Sequence, residues 1–172
     1  MKIKNSILLG VFLTTIFLVF LNGVFQSGIL LLFGFTILDC NFTIWGFIPI
    51  FELNKGMNAY LKTILILLPL IINLVFIEAS FLLLKKTAVG FVRNTIIIFL
   101  LLITGYLLIV VFYGMIELVI NPSAISGWKS ILEIWNFVGN QIYVFVVLIV
   151  LALFTYLQII QKRIMRFITI KN

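Results

Sequence analysis

The chain has 172 residues, of which 64% are hydrophobic and 10% charged, with a net charge of +7 and a mean hydropathy of +1.33. A water-soluble domain of this length cannot carry such a composition on its surface, so lipid is the expected solvent. His is absent and Cys40 is the single cysteine, which excludes intrachain disulfides, His-ligated haem, imidazole or multi-thiolate zinc sites and every His-based catalytic triad.

Lys2 and Lys4 precede an apolar run from Ser6 to Cys40 in which Asp39 is the only charge. As one straight helix that run would measure roughly 50 Å against a hydrocarbon core of about 30 Å, so a break is expected. Asn22, Gly23, Gln26, Ser27 and Gly28 are the place for it, which gives a first span over residues 6–26. A basic start before an apolar stretch also fits a signal peptide, but the residues after the apolar stretch do not form a small-x-small cleavage pattern, and an uncleaved anchor is the expectation. Thr15, Asn22 and Gln26, spaced by seven and four residues, fall on one stripe of this helix.

Residues 33–53 are rich in Phe and carry Trp45 and Pro49, with Thr43, Trp45, Phe47 and Phe51 on one parity. The segment lies in the interface, re-enters the membrane or forms short strands. An interfacial aromatic lid is the favoured reading, because aromatic rings suit the headgroup region and re-entrant backbone needs protein or water to satisfy it. A partner-binding surface is the sharper alternative.

The second span covers residues 60–84, between Lys62 and the Lys85–Lys86 pair, and Pro69 removes one of its backbone hydrogen bonds and kinks it. Glu78 lies in this span, and Lys85 returns to nearly the same face seven residues later, so an ion pair or a snorkelling contact is expected, with cation coupling as the alternative. The third span covers residues 94–120 and ends at Asn121 and Pro122. Glu117 stands near its outer end, with Tyr113 and Tyr106 four and eleven residues earlier on the same face.

The second outer loop holds Ser130 and Glu133 in capping-box spacing, with Trp128, Ile131, Leu132 and Trp135 at helical intervals. A short amphipathic helix is expected there, flat on the outer surface with both Trp side chains toward lipid. The fourth span covers residues 138–160. Asn140 and Gln141 at its start, with Thr63 of the second span, would complete a polar pocket, although holding helices together is the commoner use of such groups. Lys162, Arg163, Arg166 and Lys171 then alternate with apolar residues, in a tail expected to lie along the anionic lipids of the cytosolic face.

Positive charge decides between four and five spans. With four, and the N-terminus inside, nine of the twelve basic residues are cytosolic and only Lys55, Lys62 and Lys129 are outside. A fifth span over residues 29–51 would put five inside and seven outside, against the usual bias. The expected protein is therefore an all-α membrane protein: one polytopic domain over residues 1–172, a bundle of four transmembrane helices with both termini cytosolic, in the cell inner or plasma membrane.

The sequence contains no phosphate-binding glycine loop, metal-ligand cluster or paired catalytic acids, so neither an enzyme nor a cofactor or metal site is expected, and nucleic acid is not an expected partner. The expected function is contact with another membrane protein, as an accessory subunit, a regulator or an immunity-like protein. The alternative is a small transporter or channel component acting as a homo-oligomer or with a partner, its candidate intramembrane polar site being Glu78, Glu117, Tyr113, Asn22 and Gln26.

Overall fold

The structure, a computed structural model, describes residues 2–43, 46–51, 58–88, 90–120 and 127–169. In chain order these form α1 (Lys2–Ile16), a π-helical segment (Phe17–Leu21), α2 (Asn22–Leu32), β1 (Ile37–Thr43), β2 (Gly46–Phe51), α3 (Ala59–Ile66), α4 (Leu68–Lys86), α5 (Phe91–Ile120), α6 (Gly127–Ile134) and α7 (Asn140–Thr169). Four helical stretches are long and apolar enough to cross a membrane: Lys4–Leu32, Leu68–Lys86, Phe91–Tyr113 and Asn140–Ile168. Their number is the expected one. The chain divides into two compact units, Met1–Leu107 and Leu108–Asn172, with the division inside α5.

In the first unit the expected break at Asn22–Gly28 does not occur, and the helix runs unbroken from Lys2 to Leu32, about 46 Å. Gly23 and Gly28 weaken a helix by about 1 kcal/mol each but remove no hydrogen-bond donor. The Asn22 and Gln26 side chains bond to each other, Gln26 Nε2 donating to Asn22 Oδ1 at 3.2 Å, and so leave the backbone ladder alone. The helix ends at Leu32, six residues beyond the expected limit at Gln26, and is followed by Gly34, whose φ of 78° suits glycine. There the Phe35 N–H reaches the Leu30 carbonyl and the Gly34 N–H the Leu31 carbonyl, both at 3.0 Å, in the paired arrangement that closes helix C-termini.

The all-α expectation also needs correction at residues 37–51. β1 and β2 form an antiparallel hairpin with Asp39 opposite Ile50, Cys40 opposite Pro49, Asn41 opposite Ile48 and Phe42 opposite Phe47, and a bulge between Ile37 and Asp39. Pro49 forbids a helix here, and the aromatic and β-branched residues around it favour pairing. Trp45 lies outside the described residues. The hairpin is laid back along the first helix, with β2 against the π segment and α2, which is the feature a flat interfacial lid lacks.

The second apolar stretch is interrupted as Pro69 requires: α3 ends at Ile66 and α4 begins at Leu68. Asn58 caps α3, its side chain accepting from the Tyr60 N–H at 2.9 Å. The core of this unit is aromatic. The Phe17 ring lies 4.3 Å from that of Phe76 and 5.8 Å from that of Phe99, while Phe25 meets Phe76 from the other side at 5.4 Å. α1 approaches α5 closely through Gly10, where an added Cβ would stand 2.6 Å from Ile98 Cγ2, and nearby the Ser6 hydroxyl donates to the Phe91 carbonyl at 3.4 Å.

In the second unit the expected amphipathic helix exists as α6, with Ile131 and Leu132 buried. The capping box is not formed, because the helix starts at Gly127 and Ser130 sits inside it. Glu133 instead pairs with Lys129 one turn back, at 3.9 Å. Trp135 is half-buried rather than turned outward, and the Trp128 side chain lies outside the described residues. Asn136, at φ 53°, ends α6 with the Phe137 N–H on the Leu132 carbonyl at 2.9 Å. α7 starts with the Gln141 side chain accepting from the Val138 N–H at 3.2 Å and then runs without interruption through Lys162, Arg163 and Arg166 to Thr169. The basic tail is thus a continuation of the fourth long helix, and the described part of it does not fold away from that helix.

Candidate functional site

Asn22 and Gln26 are the part of the expected polar site that the structure brings together. They are 4% and 5% exposed, and their mutual hydrogen bond lies on the side of α2 that packs among α4 and the hairpin. The stripe does not extend to Thr15, which is exposed and donates to the Val11 carbonyl at 3.0 Å. Seven residues return an α-helix to the same face, but the intervening π segment, with its wider turn, uses one residue more. Thr14 takes the buried position instead and donates to the Gly10 carbonyl at 2.8 Å.

Sequence reasoning missed the residue that belongs with this pair. Asn73, on α4, is 4% exposed; its Nδ2 donates to the Pro69 carbonyl at 2.8 Å, and its Oδ1 has no partner among the described residues. It lies one turn from Phe76 on the same side of α4, and Phe76 packs between Phe17 and Phe25, the two rings that flank Asn22 along the first helix. Asn73 therefore stands at the level of Asn22 and Gln26. The signal in the sequence is an amide inside an apolar run one turn after Pro69, where the Pro69 carbonyl stands four residues back as its acceptor. The Ser27 hydroxyl, next to Gln26, is likewise buried without a partner, as is the Thr104 hydroxyl on α5.

Of the other expected members, Glu78 lies in the first unit and Tyr113 and Glu117 in the second. Glu78 is half-buried and Lys85 is exposed on α4. Tyr113 is 55% exposed, in contrast to the half-buried Tyr106 one stripe earlier on α5. The side chain of Glu117 lies outside the described residues. Thr63 is committed to the Ala59 carbonyl at 2.9 Å, and Gln141 to capping its own helix. Among the described residues, no group of three or more Cys, Asp or Glu side chains is placed to hold a metal ion.

Chemically, an Asn–Gln pair beside an amide with a free oxygen offers hydrogen-bond acceptors and donors but neither a nucleophile nor a titratable acid. Such a cluster can tie helices together or hold a small polar guest. No protein-family model, curated protein or solved structure matches the chain.

Proposed function

We propose that this is a multi-pass membrane protein with both termini in the cytosol, acting by contact on another membrane protein and carrying no catalysis of its own. The observation that carries the reading is the hairpin laid against the first helix. Lys4, the Lys85–Lys86 pair and Arg93 stand at the same end of α1, α4 and α5 and mark the inner boundary of the hydrocarbon core, which at about 30 Å takes up about 20 helical residues. The outer boundary then falls near Phe25, and Gly34 stands roughly 13 Å beyond it. The seven residues of β1 span about 23 Å on the way back. The tip of the hairpin accordingly comes to roughly 10 Å below the outer boundary, level with Phe17–Leu21. That level agrees with the packing of β2 on the π segment.

A re-entrant hairpin of this kind would bring an aromatic-rich segment, with Phe42 on β1 and Phe47 on β2, into the outer leaflet, a composition that suits contact with a neighbouring membrane protein. Purification in mild detergent with mass analysis of co-eluting proteins tests the reading. A stoichiometric membrane-protein partner is expected, and it should be lost when Phe42 and Phe47 are both changed to Ser. Elution without any such partner, together with solute flux in reconstituted vesicles, would replace it with the transporter reading. The observation in favour of that second reading is the buried cluster of Asn22, Gln26 and Asn73, with its free amide oxygen.

A further inference from the structure

In a helix surrounded by apolar side chains, a Ser or Thr hydroxyl satisfies itself on the carbonyl four residues back. Thr14, Thr63, Ser80 and Thr95 all do so here, at 2.7–3.0 Å. Ser27 and Thr104 do not: both hydroxyl oxygens are buried without a hydrogen-bond partner, and Asn73 Oδ1 shares that condition. One unmet oxygen thus comes from each of α2, α4 and α5, all within the unit Met1–Leu107. Asn73 stands 13 residues before Lys86, the end of α4, and Thr104 stands 13 residues after Phe91, the start of α5. Each therefore lies about 20 Å from the connection between these two helices. Ser27 follows Gln26, which with Asn22 is at the level of Asn73. On the side nearer that connection, the ring contacts of Phe17 with Phe76 and Phe99 close the layer. The bonds that the amides make stay inside their own helices, Gln26 to Asn22 on α2 and Asn73 to the Pro69 carbonyl on α4, and leave the three oxygens unmet.

We propose that this layer binds ordered water, which donates to the Asn73 amide oxygen and links it to the hydroxyls of Ser27 and Thr104. Buried polar atoms are nearly always paired, and an internal water makes about three hydrogen bonds where polar groups surround it. The chemistry of the layer selects water over other guests. An apolar guest would leave the oxygens unmet. A cation would meet only neutral oxygens, since Glu78, the one acid of α4, lies five residues from Asn73 and about 140° around the helix. Water donates to the amide oxygen, exchanges hydrogen bonds in either sense with each hydroxyl, and brings no charge. The inference uses the packing of Met1–Leu107 alone and rests neither on the depth of the hairpin nor on a partner protein.

X-ray radiolysis of the full chain in lipid nanodiscs, read by mass spectrometry, tests the proposal, because hydroxyl radicals formed from a bound water oxidise the side chains beside it. Phe76, one turn from Asn73, should be oxidised several-fold more than Phe81, which is 0% exposed and lies eight residues, about 12 Å, from Asn73 along the same helix. Asn73→Leu should bring Phe76 down to the level of Phe81, and Thr104→Val, which keeps the shape of the side chain, should lower it as well. Equal oxidation of Phe76 and Phe81 in the native chain would overturn the proposal, whatever the variants do. So would a thermal unfolding midpoint of the native chain that follows the choice of sodium, potassium or choline chloride at equal ionic strength, a result that would assign the layer to a cation.

Discussion

At Gly10 the missing side chain sets the distance between two helices. An added Cβ would lie 2.6 Å from Ile98 Cγ2 and 2.9 Å from Ile98 Cβ, and the second of these atoms is fixed to the α5 backbone and cannot rotate away. Gly10→Ala should therefore force α1 and α5 apart, at a cost of about 1–3 kcal/mol, seen as a lower midpoint of thermal unfolding in detergent. Ile98→Ala in the same chain should restore part of the loss, because it removes Cγ2 but keeps Cβ. Asn22 and Gln26 call for a different test. Changing either to Leu leaves the other amide buried without its partner, whereas changing both removes the unmet group, so a double-mutant cycle should show the single losses, about 1–2 kcal/mol each, to be less than additive. Equal and additive losses would mean that the 3.2 Å contact contributes nothing. That these two residues belong together was legible in their spacing of four. The membership of Asn73 was not, because periodicity within one helix does not report which residues of a second helix reach its level.

Among the elements, the first helix departs most from what its composition implies. Glycine and amide residues in an apolar run read as a break, yet here the amides satisfy each other and the irregularity moves to the all-apolar Phe17–Leu21. Nothing in that segment's composition marks a π turn, since Phe, Leu and Val serve equally in an α-helix. The turn does give a clear expectation. Deleting Val19 should convert the π segment to an ordinary α-helical turn with both flanks keeping their faces, so the chain should still accumulate in membranes and resist proteolysis. Deleting Val75 from the regular part of α4 should instead rotate Glu78, Ser80 and Phe81 by about 100° relative to the outer half and abolish accumulation. Tolerance of both deletions, or of neither, would contradict the role given to the segment. The hairpin was half legible: Pro49 and the parity of the aromatic residues admitted strands, but the choice among interface, re-entry and strand depends on where the first helix ends, and that was placed too early.

For the whole molecule, the number of long apolar helices follows from composition alone, and their sidedness rests on nine basic residues against three. On the proposed topology an impermeant thiol reagent added to intact cells should leave Thr87→Cys, in a Cys40→Ser background, unlabelled, and should label it once the inner face is opened; efficient labelling in intact cells would refute the topology. The continuous α7 also alters what its basic tail can do. A helix of about 45 Å is longer than the hydrocarbon core, so on the proposed topology Lys162, Arg163 and Arg166 would form a collar just beyond the inner boundary. Spin labels there should report a helical alternation of headgroup and water contact along the described tail, where a tail lying flat would report a single apolar side. A re-entrant placement of the hairpin, as proposed above, has a consequence of another kind. Reaching only about a third of the way across the bilayer, β1 and β2 would add cross-sectional area to one monolayer and none to the other. A membrane crowded with this protein should bend toward its outer face, and the protein should collect where that monolayer is already stretched, on buds, tubules and small vesicles in preference to flat sheets.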